Sequence, residues 1–360
     1  MKILLVAKTF SKTSGGAENH IYNLVQQLKK KHDFTIVTSD EYKDSVPGVK
    51  IIRLPIDFRI MNYIVSTKLK SLLNGIIGKF DLVHCHNYCC YFVDTAARIA
   101  KKHGKPLVIT NHGVFPSRNM FTAMLMFIYN KTVGIRTWKL ADKIISVSEF
   151  SRQRIIQLGA PKDNNSVIYN GIDLSEFERE PNQRRQNKRI LYVGRIVPEK
   201  GLNFLVKSLS KIRDQNFKLI VAGDDSTNYA RMVKKNAASL AVSNKVRFLG
   251  KQERKSLIRL YKSSGVFVLS SSYEPFGIVI IEAMAAGLPV IATRVGGVPE
   301  IVDGTRNRMV PYGNINIMAK SIEEMAGRND IGKENRKYVR RFSIKIMAEK
   351  TDRIYSELMP

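Results

Sequence analysis

Two glutamates, Glu274 and Glu282, stand with seven residues between them in the segment Ser271 to Ala285. An apolar strand pattern, Val266 to Leu269, precedes a serine-rich turn, then Pro275 and Gly277, then a helical pattern. Glu274 falls in the loop. Glu282 falls inside the helix, five residues past Gly277 and about 7.5 Å along its axis. Glu282 interrupts an otherwise apolar sequence, so its carboxylate needs a partner or a ligand, and ribose hydroxyls are suitable donors. The free N–H groups of Gly277 and Ile278 at the helix start can hold phosphate or sugar oxygens. A second set lies upstream. Leu191 to Val193 ends a strand pattern at Gly194-Arg195, and Pro198-Glu199-Lys200-Gly201 opens the next helix. An arginine at a strand end and a lysine near a helix start suit a diphosphate: one is a bidentate guanidinium, the other a point charge.

Near the N-terminus, Gly15 and Gly16 open a helix within Ser14-Gly15-Gly16-Ala17-Glu18. Such a turn lets backbone approach a ligand and offers helix N–H groups to an anion. The three-glycine dinucleotide fingerprint is absent there, and Gly78-Lys79-Phe80 does not complete a P-loop, which counts against dehydrogenase and NTPase chemistry. All three cysteines cluster at Cys85, Cys89 and Cys90 beside His84 and His86. An odd, clustered set is not a disulfide framework. It reads as the end of a buried strand and the start of a helix rather than a metal site.

The elements that must position these residues alternate. Ile3 to Ala7 is a continuous apolar run, as expected for a strand buried on both faces. Ile21, Leu24, Val25 and Leu28 stripe the helix after it. Further strands are expected at 34–38, 50–54, 82–85, 107–110 and 144–147. The charged, amide-rich stretch 173–187 reads as a linker. Alternation then restarts with strands at 190–193, 219–222, 246–249, 266–269 and 290–293. The pattern predicts two doubly wound α/β domains with a cleft between them, whose ligands sit at the carboxyl ends of the strands. The expected boundaries are 1–172, 173–187 for the linker, 188–340, and a C-terminal helix over 341–360 that packs back on the first domain.

The 360 residues carry 59 basic and 31 acidic side chains, a net charge of +28. A basic field this broad points to anionic partners: phosphorylated substrates, anionic lipid or nucleic acid. No apolar stretch reaches the ~20 residues of a spanning helix. The N-terminus reads as a first strand rather than a signal peptide, which predicts a cytoplasmic protein. Two stretches fit either interfacial or core helices. One holds Phe115, Met120, Phe121, Met124 to Tyr129 and the flanking Arg118, Lys131, Arg136, Trp138 and Lys139. The other is Ile60 to Lys79.

The motifs resemble those of retaining GT-B glycosyltransferases of family 4, glycosyltransferase group 1. The resemblance rests on Glu274-Pro275-Phe276-Gly277 with Glu282-Ala283-Met284-Ala285-Ala286-Gly287-Leu288-Pro289-Val290, and on Gly15-Gly16-Ala17-Glu18 and Thr110-Asn111-His112-Gly113. It extends to Val147-Ser148-Glu149-Phe150-Ser151-Arg152, Tyr169-Asn170-Gly171, Val193-Gly194-Arg195 with Lys200-Gly201, and Gly296-Gly297-Val298-Pro299-Glu300. It implies two Rossmann-like domains facing across a cleft, and transfer of a sugar from a UDP- or GDP-linked donor to a lipid-linked or glycan acceptor. Arg195 and Lys200 would then neutralise the donor diphosphate. Glu282 would bind the ribose. Glu274, with the backbone of Phe276, Gly277 and Ile278, would hold the transferred sugar. His112 would contact that sugar, and Gly15 and Gly16 would approach the donor phosphate or the acceptor. Backbone near Arg247 to Gly250 would meet the base.

The chain has no Asp-x-Asp motif, so no metal is expected. No other cofactor and no nucleic-acid partner are expected either, and an anionic membrane surface is a further partner. The loop Thr305 to Val310 departs from the usual glycine-hydrophobic run. A nucleotide-sugar epimerase, a sugar phosphorylase and a non-catalytic polyanion- or membrane-binding protein remain alternatives.

Overall fold

The structure is a computed structural model that describes residues 1–12, 15–60, 63–114 and 119–359. The chain divides into two compact units: Met1–Gly171 together with Ile344–Pro360, and Ile172–Ser343.

The first unit is built on a seven-stranded parallel sheet. Its strands run Lys50–Leu54, Asp33–Ser39, Lys2–Ala7, Leu82–His86, Leu107–Asn111, Lys143–Ser146 and Asn165–Val167 across the sheet. Ile3 to Ala7 are fully buried, because helices cover both faces. The helix Gly16–Leu28 buries Ile21, Leu24, Val25 and Leu28, the stripe its sequence carries. The helix Ile344–Glu357 packs against it. Tyr355 Oη meets His84 Nδ1 at 2.6 Å, and Asp352 pairs with Lys31 and His32.

The second unit has six parallel strands in the order Val246–Phe248, Lys218–Ala222, Gln186–Val193, Ser264–Leu269, Val290–Thr293 and Arg308–Val310. In both sheets the strand order reverses beside the first strand. The switch lies between Lys2–Ala7 and Leu82–His86 in one unit, and between Gln186–Val193 and Ser264–Leu269 in the other. Crevices for ligands form at such points, outside the carboxyl ends of the strands.

One expectation needs correction, and two elements went unread. Residues 173–187 are not a bare linker. They form the helix Leu174–Arg179 and the start of the strand Gln186–Val193, and they belong to the second unit. Their charges have partners there: Glu176 on Arg254 at 2.7 Å, Glu180 on Arg259, and Arg185 on the carbonyls of Ala286 and Gly287. The departing loop Thr305 to Val310 ends in the edge strand Arg308–Val310, too short for a periodic signal. The hairpin Phe58–Ile60 with Tyr63–Val65 leaves no mark in the sequence for the same reason.

Candidate functional site

In the second unit the expected donor residues gather at the switch point. The strand Gln186–Val193 delivers Gly194 and the exposed Arg195, whose carbonyl accepts from Tyr192 Oη at 3.0 Å. Pro198–Lys200 makes a single 3-10 turn. The neighbouring strand Ser264–Leu269 runs into the loop carrying Glu274. Lys200 Nζ then reaches Glu274 Oε2 at 2.6 Å, with both side chains largely buried. The cation expected at the diphosphate and the carboxylate expected at the sugar therefore neutralise each other.

The Glu274 loop is held from behind. Gly297 N–H donates to the Glu274 carbonyl at 2.9 Å. Gly296 has φ +56, and a Cβ there would lie 2.0 Å from that carbonyl oxygen. Only glycine permits both the left-handed backbone and this close approach. The motif Gly296-Gly297 is thus a support for Glu274. Gly277 (φ +107) ends the loop and starts the buried helix Ile278–Ala285. Phe276 is buried and packs edge-on against Phe342, 5.8 Å between centroids.

Glu282 is 4% exposed. The sequence demanded a partner for it, and the fold supplies two. Arg254 pairs with one carboxylate oxygen, and Tyr261 Oη donates to the other at 3.0 Å. Burial works against the Arg254 charge, but Glu282 and Glu176 outweigh it and leave its pKa above the ordinary value. Burial and the Glu282 carboxylate push Tyr261 well up. Sequence reasoning missed both residues. Arg254 lies 28 positions from Glu282 on a polar helix face, where no spacing rule marks it.

In the first unit, His112 follows the strand Leu107–Asn111 and is half-buried. Gly113 N–H donates to Asn111 Oδ1 at 2.9 Å, while Asn111 Nδ2 donates to the Ser151 carbonyl at 3.2 Å. These bonds lock the turn that presents His112. Its Nε2 meets His86 Nδ1 at 3.2 Å. His20, on the helix after the first strand, lies edge-on to His112 at 4.8 Å between centroids, and its Nδ1 meets Asn170 Oδ1 at 2.8 Å. Asn170 of the Tyr169-Asn170-Gly171 motif thereby holds His20 in place.

Gly15 has extended backbone that any residue adopts. A Cβ there would lie 2.7 Å from Glu18 Oε2, the end of a flexible side chain that can move aside, so this position does not demand glycine. Glu18 in turn accepts from Thr9 Oγ1 at 2.8 Å. A carboxylate thus already occupies this helix start, which weakens the case for an anion there. Gly16 is the first exposed residue of that helix, and Ser14 lies outside the described residues.

Of the cysteine neighbourhood, His84 is fully satisfied by Tyr355 and Thr110. Burial raises the Cys90 thiol to about 11, and Cys85 still further. These are structural groups.

Burial, offset in part by Asn170, pushes His20 down to about 4, and burial with His20 nearby pushes His84 down to about 3. The ordinary histidine value is ~6.5. Between these limits the unfolded chain binds protons that the folded chain does not. Stability therefore falls as pH drops from ~6.5 toward 4, by up to about 1.4 kcal/mol per pH unit and histidine. Melting curves from pH 8 to 4.5 should show this loss, with a shallower slope for His84→Gln. Equal slopes would contradict the assignment.

Two doubly wound units, each on a parallel sheet, have the fold of the GT-B glycosyltransferases. The family model for glycosyl transferases group 1 matches residues 175–341, and that for glycosyltransferase family 4 matches residues 14–176. An uncharacterized glycosyltransferase of Methanocaldococcus jannaschii is 32% identical over 341 residues, covering 87% of this chain and 85% of that one. A component of the human phosphatidylinositol N-acetylglucosaminyltransferase is 28% identical over 83% of this chain, which spans 63% of the human one. The crystal structure of Anabaena HepE in complex with UDP and glucose has the same fold, with a TM-score of 0.79 at 20% identity over 99% of this chain and 100% of that one. The chain belongs to the group 1, family 4 glycosyltransferases and is an enzyme of that class.

Proposed function

We propose that the protein transfers a sugar from a nucleoside diphosphate donor, with retention at the anomeric carbon, to a lipid-linked acceptor at an anionic membrane surface. The observation that carries the donor half is the Lys200–Glu274 pair at the switch point. An incoming diphosphate competes for Lys200 and joins Arg195. Glu274 is then released to accept hydrogen bonds from the sugar. Charge building on the departing diphosphate meets preorganised cations and helix N–H groups, which is the electrostatic form of catalysis. No divalent cation is required in this reading. Glu282, braced by Arg254 and Tyr261, keeps lone pairs for the ribose hydroxyls. Phe276, Gly277 and Ile278 offer backbone to the sugar, and His112 keeps the sugar-contacting role that the motif gives it.

The acceptor half rests on the helix Met120–Tyr129, which buries none of its residues. Met120 is 88% exposed and Phe121 63%, with Met124, Phe127 and Ile128 exposed beside them. An exposed apolar helix of this kind marks an interaction surface. The hairpin adds exposed Phe58 and Ile60. Tyr63 and Tyr129 bring the two elements together, 6.2 Å between rings. The buried Asp94 anchors both, accepting from Tyr63 and Tyr129 Oη at 2.9 Å and from Thr137 Oγ1 at 2.8 Å. Arg59, Lys131, Arg136 and Lys139 are exposed around them. Apolar side chains bordered by cations suit the interface of an anionic bilayer.

Of the other stretch, Ile60 stands on the exposed hairpin, whereas the helix Lys68–Ile76 is a core element that buries Leu69 and Leu73. Trp138 is also buried, stacked on Tyr88, and is no interfacial anchor. Phe115 and Arg118 lie outside the described residues. No helix among the described residues is long and apolar enough to cross a membrane. The relative named for phosphatidylinositol supports a lipid acceptor.

Incubation with UDP- and GDP-sugars and vesicles carrying lipid-linked acceptors should give a product whose anomeric configuration, read by NMR, matches the donor. Inversion, free sugar or an isomerised donor would overturn the reading. The protein should co-sediment with anionic vesicles and be released as salt rises. Phe121→Glu with Phe127→Glu should lower the bound fraction at least about tenfold, since each side chain contributes roughly 1.5–3 kcal/mol when buried. Binding that ignores lipid charge and these substitutions would remove the membrane.

A further inference from the structure

Three imidazoles from separate elements converge at the carboxyl end of the first sheet. His20 comes from the helix Gly16–Leu28, His86 ends the strand Leu82–His86, and His112 follows the strand Leu107–Asn111. Each offers a ring nitrogen, and the three nitrogens lie within 4.8 Å of one another. We propose that His20, His86 and His112 form a binding site for one borderline-soft divalent cation of the Zn2+ type, and that filling it withdraws His112 from the donor sugar. The second clause rests on the role proposed above for His112. The first does not.

Four observations support the site. Imidazole is the ligand preferred by Zn2+ and its neighbours in the transition series, whereas Mg2+ and Ca2+ prefer oxygen. Three histidines with an open fourth position are an established zinc arrangement. The His20 contact to the Asn170 side-chain oxygen is the outer-shell pattern of a ligating histidine: donation from Nδ1–H fixes the tautomer and leaves Nε2 as a free lone pair. His86 is fully buried, yet its Nε2 has no hydrogen-bond partner, a deficit that buried polar groups seldom carry without a ligand or water.

Burial, together with the neighbouring histidines, also holds His86 and His112 well below the usual range. All three rings are then neutral at physiological pH, and a cation need displace no proton from them. Zn–N bonds of about 2.0–2.1 Å place two ligand nitrogens about 3.4 Å apart in a tetrahedron. The widest separation, 4.8 Å, must close by about 1.4 Å, within reach of side-chain rotation.

The test is equilibrium dialysis of the full chain against Zn2+, with Mg2+ in parallel. One Zn2+ per chain and no retained Mg2+ are expected. His86→Asn and His20→Asn should each weaken retention on the order of 100-fold or more, while His103→Asn, at an exposed histidine away from the cluster, should change nothing. Circular dichroism checks the fold of each variant. If the cluster variants unfold, Co2+ added to the parent decides: visible bands of four-coordinate cobalt support the site, and the weak spectrum of the hydrated ion overturns it. No retained Zn2+, or equal retention by parent and folded variants, would also overturn it. In the transfer assay, chelator should leave the rate unchanged and Zn2+ should lower it. Zn2+ bound at these histidines with undiminished transfer would keep the site and remove the role of His112.

Discussion

Glu274→Gln is expected to lower turnover on the order of 10²- to 10³-fold, the usual scale for losing one group aimed at the transition state. Nucleoside diphosphate binding should be retained or tightened. The reason is the pair at 2.6 Å. Glu274 holds Lys200, so a diphosphate must compete with a carboxylate for its cation. The amide removes that competitor, yet offers the sugar a poorer acceptor. Structural damage would lower binding and turnover together, so the opposite signs are diagnostic. Turnover within a factor of two of the parent would show that Glu274 does not meet the reacting sugar.

Arg195→Ala and Lys200→Ala should each weaken diphosphate binding about 10- to 100-fold, as charge-assisted hydrogen bonds contribute roughly 1.5–3 kcal/mol. Binding of the bare nucleoside should barely change. Lys200→Ala carries a second cost, because it leaves the largely buried Glu274 carboxylate facing an anion. Its loss should therefore shrink in the double variant with Glu274→Gln. Residues in contact are where such coupling is measurable. Additive losses, or equal losses for nucleoside and diphosphate, would contradict this geometry.

The strand ends are legible in the sequence, and with them the placement of most candidate site residues. Apolar runs such as Ile3 to Ala7 and Val266 to Leu269, bounded by turn residues, read as strands buried on both faces, and both are strands in the structure. The residues just after such a strand lie at the carboxyl edge of a sheet. Arg195, Lys200, Glu274 and His112 all stand at that edge of their own sheets. The same logic applied to Leu82–His86 points to His86, whose sequence context marks it only as a strand end. The groups that hold the site in shape were not legible. Arg254 reaches Glu282 across 28 positions, Asn170 reaches His20 across 150, and Asp94 gathers Tyr63, Tyr129 and Thr137. None of these pairings leaves a periodic or short-range mark. Charge misled at 173–187, where ion pairing within the second unit looks, in one dimension, like solvation.

The helix Met120–Tyr129 shows the converse. Its composition suits a core or an interface equally, and only the burial of Trp138 against the exposure of Phe121 separates its environment from that of its neighbours.

The central claim is that a nucleoside diphosphate binds at the switch point of residues 172–343. Thermal unfolding of the parent and of Lys200→Ala, each with a panel of nucleosides and their diphosphates, tests it most directly. One nucleoside diphosphate should raise the parent's midpoint, since a ligand at 100 times its dissociation constant adds ~2.7 kcal/mol. The same concentration should leave Lys200→Ala almost unshifted. No response to any nucleoside diphosphate, or an equal response from parent and variant, would contradict the claim.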